Sequence, residues 1–142
     1  MSEVKRLVKV DDYEVVEGLF YSKEWMWVKK EDGKVRIGIT DYAQKQLREV
    51  VFAELPAVGD EIVKDEPFGT VESVKAVSDL VAPVTGKIEE VNKQVSDSPE
   101  ILNEDPYSDG WLIVVSPTKL EEELKTLMDF KKAVEGHKEL AK

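Results

Sequence analysis

Short apolar runs closed by turn signals fill most of the chain, and helical spacing is confined to a few stretches. Val8 and Val10 alternate with charged residues and Tyr13-Glu14-Val15-Val16 is β-prone, so residues 4–21 read as an extended arm or edge strand. Trp25-Met26-Trp27-Val28 and Val35-Arg36-Ile37-Gly38-Ile39 flank Asp32-Gly33, which predicts a hairpin because glycine takes the positive φ of a tight turn. Thr40 to Gln44 predicts a helix reaching about Arg48, with Asp41 as its N-cap and Gln44 completing a capping box. Strands are expected at Val50–Leu55, at Glu61–Lys64, over 67–74 and 76–84 on either side of Lys75, at Lys87–Val91 and at Trp111–Val115. Ser98-Pro99-Glu100 predicts a short helix with proline at its first position. Thr118 and Glu121 form a second capping box, opening a C-terminal helix whose Leu120, Leu124, Leu127, Met128 and Val134 share one face. Its polar face is mixed rather than basic, so the stripe is read as packing on the strands and not on a membrane. A weak echo, V-x-D-x-P at 63–67 and at 95–99, is what a pseudo-symmetric sandwich would produce.

This pattern predicts a mainly β chain: a β-sandwich with a short helix after the first hairpin and a C-terminal helix. Its 142 residues suit one domain with a core that needs no disulfide or metal staple. The division expected is an N-terminal extension over 1–17, the β-sandwich over 18–117, and over 118–142 a C-terminal helix on the same domain with a frayed tail.

Composition then removes most chemistry. The chain has no cysteine, so thiol nucleophiles, thiolate metal sites and disulfides are all excluded, and a reducing cytoplasm is the expected location. His137 is its one histidine. Lying near the C-terminus, it is expected to be exposed rather than catalytic, which leaves serine triads and histidine-rich metal sites without support. The formal charge of −10 disfavours nucleic acid and anionic membranes as partners. No apolar stretch approaches the ~20 residues of a membrane span, and Met1-Ser2-Glu3-Val4-Lys5-Arg6 lacks the apolar block of a signal peptide.

Lys75 is the candidate functional residue. It sits in Glu72-Ser73-Val74-Lys75-Ala76-Val77-Ser78-Asp79, with Ala82-Pro83-Val84-Thr85-Gly86 downstream. A lysine that carries a group must be reached by a modifying enzyme, attack as the neutral amine, and then let its arm swing. The tip of a hairpin on a rigid sandwich meets these demands. Most of the other 19 basic residues (20 Lys and Arg in all) are expected to be ordinary solvated side chains.

Five runs, in order, resemble the glycine-cleavage H-protein family of lipoyl carriers. They are Gly38–Gln44, Val50–Pro56, Glu72–Asp79, Ala82–Gly86 and Asn103-Glu104-Asp105-Pro106-Tyr107. The likeness covers about residues 18–130. A biotinyl carrier would be expected to show methionines flanking its lysine, and Val74 and Ala76 stand there instead. The resemblance implies a lipoyl-domain (barrel-sandwich hybrid) fold and lipoate bound covalently to Lys75. Glu72, Ser73, Val74, Ala76 and Asp79 would form the recognition and arm environment, with Asp79 near the pocket that shelters the arm. The protein would be no enzyme itself. Its implied partners are the pyridoxal-phosphate glycine decarboxylase, the tetrahydrofolate aminomethyltransferase, dihydrolipoamide dehydrogenase, and a lipoate ligase or a lipoyl or octanoyltransferase that modifies Lys75.

The match departs from the family in two respects: the residues before Gly18 lengthen its usual N-terminus, and the first core strand starts differently. The family usually shows His-Glu-Trp at the start of its first core strand, and here Trp25-Met26-Trp27 stands there. That glutamate would partner the ammonium of an aminomethyl-loaded arm, and a thioether is neutral and a weak acceptor. Either Asp79 or Glu24 compensates, or the arm carries another cargo. Three functions therefore stand: the carrier of the glycine cleavage system, an H-like carrier for lipoate-dependent sulfur oxidation or lipoyl relay, and a binding module that is never lipoylated.

Overall fold

The computed structural model describes residues 7–140. The first three residues of the stretch read as an arm (4–6), the N-terminal segment tested for a signal, and the last two residues of the expected frayed tail lie outside this range.

The chain opens with two short strands, β1 (Leu7–Val10) and β2 (Tyr13–Val16), which form an antiparallel hairpin. A six-stranded antiparallel sheet follows. Its strands are β3 (Phe20–Tyr21), β4 (Met26–Glu31), β5 (Lys34–Ile39), β7 (Glu61–Ile62), β10 (Gly86–Val91) and β11 (Ile113–Pro117), in the order β3-β4-β5-β11-β10-β7. A three-stranded sheet, ordered β6-β8-β9, is built from β6 (Val50–Glu54), β8 (Pro67–Ser73) and β9 (Val77–Val81). Helix α1 (Asp41–Leu47) follows the β4–β5 hairpin, and α2 (Lys93–Asp97) and α3 (Ile101–Glu104) bridge β10 to β11. The C-terminal region holds α4 (Leu120–Leu124) and α5 (Phe130–Leu140).

The two larger sheets enclose the main core. Val28, Val35, Ile37, Ile39, Ile88, Ile113 and Val115 point into it from the large sheet, and Val50, Ala53, Val71 and Leu80 meet them from the small one. The period-2 alternation of strands then sends Trp27, between Met26 and Val28, to the opposite face. There a second cluster forms from Val10, Val15, Leu19, Tyr21, Trp27 and Ala133, so the N-terminal hairpin and α5 cover the outside of the large sheet.

The Asp32-Gly33 turn appears as expected, with φ of 47° and 81°. Both values lie in the left-handed region that a type I′ hairpin turn uses. Other local expectations change. Thr40, not Asp41, caps α1: its hydroxyl accepts from the Ala43 amide at 3.2 Å. Asp41 is the first helical residue, and its Oδ1 accepts from the Gln44 side chain at 2.8 Å. The C-terminal helix forms in two pieces. Met128 leaves the helical path to exchange two 2.8 Å backbone hydrogen bonds with Tyr21, and Asp129 then caps α5 by accepting from the Lys132 amide at 2.9 Å. The apolar stripe divides accordingly, with Leu120, Leu124 and Leu127 on the main core and Met128 and Val134 on the second cluster. Lys119 rather than Thr118 precedes α4 and makes no side-chain cap. The V-x-D-x-P echo has no structural counterpart, since 63–67 is mainly a turn with Asp65 at φ 71° while 95–97 belongs to α2.

Candidate functional site

Strands β8 and β9 meet at Ser73-Val74-Lys75-Ala76, and the turn is closed by its own hydrogen bonds. The Ser73 amide donates to the Ala76 carbonyl at 2.8 Å. The Ser73 hydroxyl oxygen accepts from the amides of Lys75 (3.1 Å) and Ala76 (3.0 Å). A third tie runs from the Val74 amide to the Glu49 carbonyl at 3.1 Å, joining the tip to the start of β6. Serine suits this place because a short hydroxyl side chain can bond the backbone two and three residues on. Lys75 is exposed, so a fixed backbone presents a free side chain.

The surroundings of the tip are unusually apolar for solvent-facing surface. Val74 is 66% and Val77 65% exposed, and Val51 and Phe52 are about half exposed. Register places Phe52, Glu72 and Val77 in one row across the three strands, with Glu72 central. Apolar patches of this kind are the sort of surface that proteins use for contacts.

Beside the hairpin lies a cleft of about 390 Å³. One wall is the small sheet and its edge strand β9, contributing Val71, Ser78 and Leu80; the other is the loop before β4, the paired ends of β4 and β5, and α1, contributing Trp25, Met26, Ile39, Tyr42 and Leu47. Glu24 and Asp79 border it, and Lys75 and Ala76 stand at the hairpin end. Met26 is only 3% exposed and belongs to the main core. Asp79 pairs in register with Thr70, whose other neighbour is Glu54, so strand alternation turns its side chain towards the outer face, away from Val71 and Ser78.

The cleft wall has a strained member. Trp25 has φ of 63°, a left-handed value that costs a bulky residue on the order of 1–3 kcal/mol. Several contacts hold it there. Its amide donates to Ser22 O at 2.9 Å, and its carbonyl accepts from the Thr40 amide at 3.1 Å. Behind the indole stands His137, with ring centroids 4.3 Å apart.

His137 corrects a sequence expectation. It is fully buried rather than exposed, because α5 packs back onto β1, β2 and β3. Its Nδ1 donates to the Ala133 carbonyl at 2.7 Å, whereas Nε2 has no hydrogen-bond partner. Burial pushes the imidazole below the ordinary histidine range, outweighing the Ala133 carbonyl and the Asp41 carboxylate, which favour the charged form.

The residues singled out from sequence thus separate. Lys75, Ala76 and Asp79 border the cleft; Ser73 builds the turn; Val74 and Glu72 belong to the exposed patch. The sequence carries no signal that marks Trp25 and Tyr42 as cleft walls. Tyr42 lay inside one of the motif runs, but nothing local placed it opposite the lysine. Among the described residues no group of three His, Asp or Glu could hold a metal, and no helix is long and apolar enough to cross a membrane.

Comparison with known proteins agrees with this architecture. The profile of the family described as Glycine cleavage H-protein matches residues 19–140. The chain is 53% identical over 135 residues to a protein named "Probable glycine cleavage system H protein" from Pyrococcus abyssi, covering 94% of this chain and all of that one. It is 61% identical over 104 residues to the "Glycine cleavage system H protein" of Bacillus licheniformis, covering 73% of this chain and 82% of that one. The crystal structure of a glycine cleavage system H protein from Mycobacterium marinum superimposes with a TM-score of 0.69 at 42% identity, over 71% of this chain and 84% of that one. A profile match over most of the length and identities above one half leave one reading: the chain belongs to the glycine cleavage H-protein family.

Proposed function

We propose that Lys75 is the attachment point of a lipoyl group and that the protein shuttles the aminomethyl group of glycine between the enzymes of the glycine cleavage system. Members of this family are carriers and not themselves catalytic, and the role follows from membership. The observation that supports the site is the exposed Lys75 on a hydrogen-bonded turn at the end of an apolar cleft. Once attached, the dithiolane supplies a disulfide that accepts an aminomethyl group and is reduced in doing so. The protein's own residues do the rest. Ser73 fixes the origin of the arm. An arm of roughly 14 Å, counted from about a dozen bonds of ~1.5 Å, reaches from the tip along the cleft. Trp25, Met26, Ile39, Leu47, Val71 and Leu80 offer it an apolar lining, which suits a dithiolane.

Met26 bears on the cargo. It removes a carboxylate expected in the cleft, yet Glu24 borders the same cleft two residues earlier. Asp79 is the weaker substitute, because its strand register turns it outward. Glu24 is therefore the residue we assign to the ammonium of a loaded arm. The partners in this reading are the glycine decarboxylase and the aminomethyltransferase, with dihydrolipoamide dehydrogenase reoxidising the arm and a lipoate ligase or octanoyltransferase installing it, all in the cytoplasm.

Intact mass of the protein from its native source tests the first step, since an unmodified Lys75 would sink every carrier reading. Glycine–bicarbonate exchange reconstituted with glycine decarboxylase tests the second. A lipoylated protein inert in exchange would favour a carrier of another pathway, the reading that the buried Met26 keeps open.

A further inference from the structure

Four rings meet behind the cleft. His137 on α5 lies 4.3 Å from Trp25, 6.1 Å from Tyr42 and 6.2 Å from Tyr13, centroid to centroid. Tyr42 also touches the other two: Trp25 and Tyr42 are 5.9 Å apart, and Tyr13 and Tyr42 are 4.9 Å apart. Gly136 lets the helix come this close, for a Cβ there would stand 2.9 Å from Trp25 Cη2. Two of these rings, Trp25 and Tyr42, present their other sides to the cleft next to Lys75. The C-terminal helix therefore backs the wall of the cleft without entering it.

The imidazole is wired asymmetrically. Nδ1 spends its hydrogen on Ala133, so Nε2 holds a bare lone pair, sealed from water and facing no donor. A proton added there would become a donor with no acceptor and a charge among aromatic rings. Leaving such a group buried and unpaired is costly, so the box must open to hydrate it.

We propose that His137 is a positioning residue for the arm's cleft: neutral, it props Trp25 and Tyr42 in place, and on gaining a proton at Nε2 it releases them, so that the cleft wall loosens in acid. The device acts on Lys75's arm only through the reading of the cleft as the arm's shelter, on which that part rests. Charged groups around the box come from every element packed on it. The elements packed there carry Asp41 and Lys45 on α1, Glu14 on β2, Lys9 on β1, Glu24 beside Trp25, and Glu135, Lys138 and Glu139 on α5, and of these Asp41 acts on the imidazole. Asp41 is the buried one, and its carboxylate is already engaged by the Glu14 amide, the Gln44 side chain and Lys45. Lys45 lies 5.8 Å from the Tyr13 ring. Burial still leaves the folded imidazole harder to protonate than an unfolded one. The unfolded chain therefore takes up a proton first, and the stability of this packing is lost as pH falls below about 6.5.

A single histidine gives a single imidazole signal, which makes the test direct. In the unmodified full chain, NMR titration from about pH 7.5 down through the His137 midpoint should move the ring signals of Trp25 and Tyr42 with that same midpoint. In His137→Phe, which keeps an aromatic ring but cannot titrate, those signals should stay still. Ring signals that ignore the His137 midpoint, or that shift as before in the Phe variant, would overturn the proposal. Should that variant not fold, Gly136→Ala serves instead, since its methyl should displace the Trp25 signals already at neutral pH; unmoved signals there would count against the prop. In the lipoylated protein, reduction of the dithiolane by a small phosphine should speed up about threefold on acidification relative to His137→Phe. A box that answers to pH beside an arm whose accessibility does not change would overturn the shelter reading and its link to the arm, while leaving His137 as the prop of Trp25.

Discussion

Trp27 and Gly38 are register partners across β4 and β5, and the indole occupies the space that a side chain on residue 38 would need. A Cβ on Gly38 would stand 2.5 Å from Trp27 Cζ2. The same edge of the indole is also pinned, because Nε1 donates to the Pro106 carbonyl at 2.9 Å. Gly38→Ala should therefore destabilise the fold by about 1–3 kcal/mol, as overpacking does. The measurement is a urea midpoint, expected to fall with an unchanged slope; an unshifted midpoint would mean that the indole has room to move.

Tyr107 ties the N-terminal hairpin to α1. Its hydroxyl donates to the Glu14 carbonyl at 2.6 Å and accepts from the Asp41 amide at 3.2 Å. Burial raises the phenols of Tyr107 and Tyr21 above the ordinary tyrosine value. A raised value in the folded state means that this stability is fully present below about pH 10 and is lost as pH climbs above it. Tyr107→Phe should cost about 1–3 kcal/mol at neutral pH and make the alkaline loss shallower. Urea midpoints of both proteins across the alkaline range decide this, and parallel curves would contradict it.

Phe52 is about half exposed beside Glu72, with little to lose on truncation in the free protein. Phe52→Ser should leave the melting temperature nearly unchanged, within about 0.5 kcal/mol of stability. Lipoylation of Lys75 and exchange with the decarboxylase should slow about tenfold if this apolar patch is an anchor for partners. Equal kcat/KM for wild type and variant in both reactions would remove the patch from the docking face.

Glu24 is exposed at the cleft, so Glu24→Gln should fold normally. A hydrogen bond to a charged group contributes about 1.5–3 kcal/mol, so losing it should slow aminomethyl transfer at least about tenfold. Lipoylation, which places no ammonium in the cleft, should be unaffected. Transfer at the wild-type rate would return the question to Asp79 or to a different cargo.

Features that depend on neighbours in sequence were readable from it. Asp32-Gly33 marked its hairpin, and the β strands appeared near their expected bounds, because alternation and turn chemistry are local. The turn around Lys75 was legible as a motif. What sequence could not reveal was set by distant packing. His137 looked like a tail residue because nothing local shows that α5 folds back onto Tyr13 and Tyr42. The C-terminal helix looked continuous because the pairing of Met128 with Tyr21 joins residues from opposite ends of the chain. Asp41 and Thr40 are both good caps by type, and only the backbone geometry at Thr40 decides between them.

The Ser73 turn has a kinetic consequence. If Lys75 carries the arm as proposed, the Ser73 hydrogen bonds fix its backbone origin, and an arm outside the cleft would explore a volume bounded by its own length. A tip confined within roughly 14 Å of a fixed origin is present at an effective concentration on the order of 0.1 M inside that sphere. A docked active site within reach thus meets its substrate as if from a concentrated solution, however dilute the protein. Loosening the anchor, as Ser73→Ala would, thins that local supply without touching the arm.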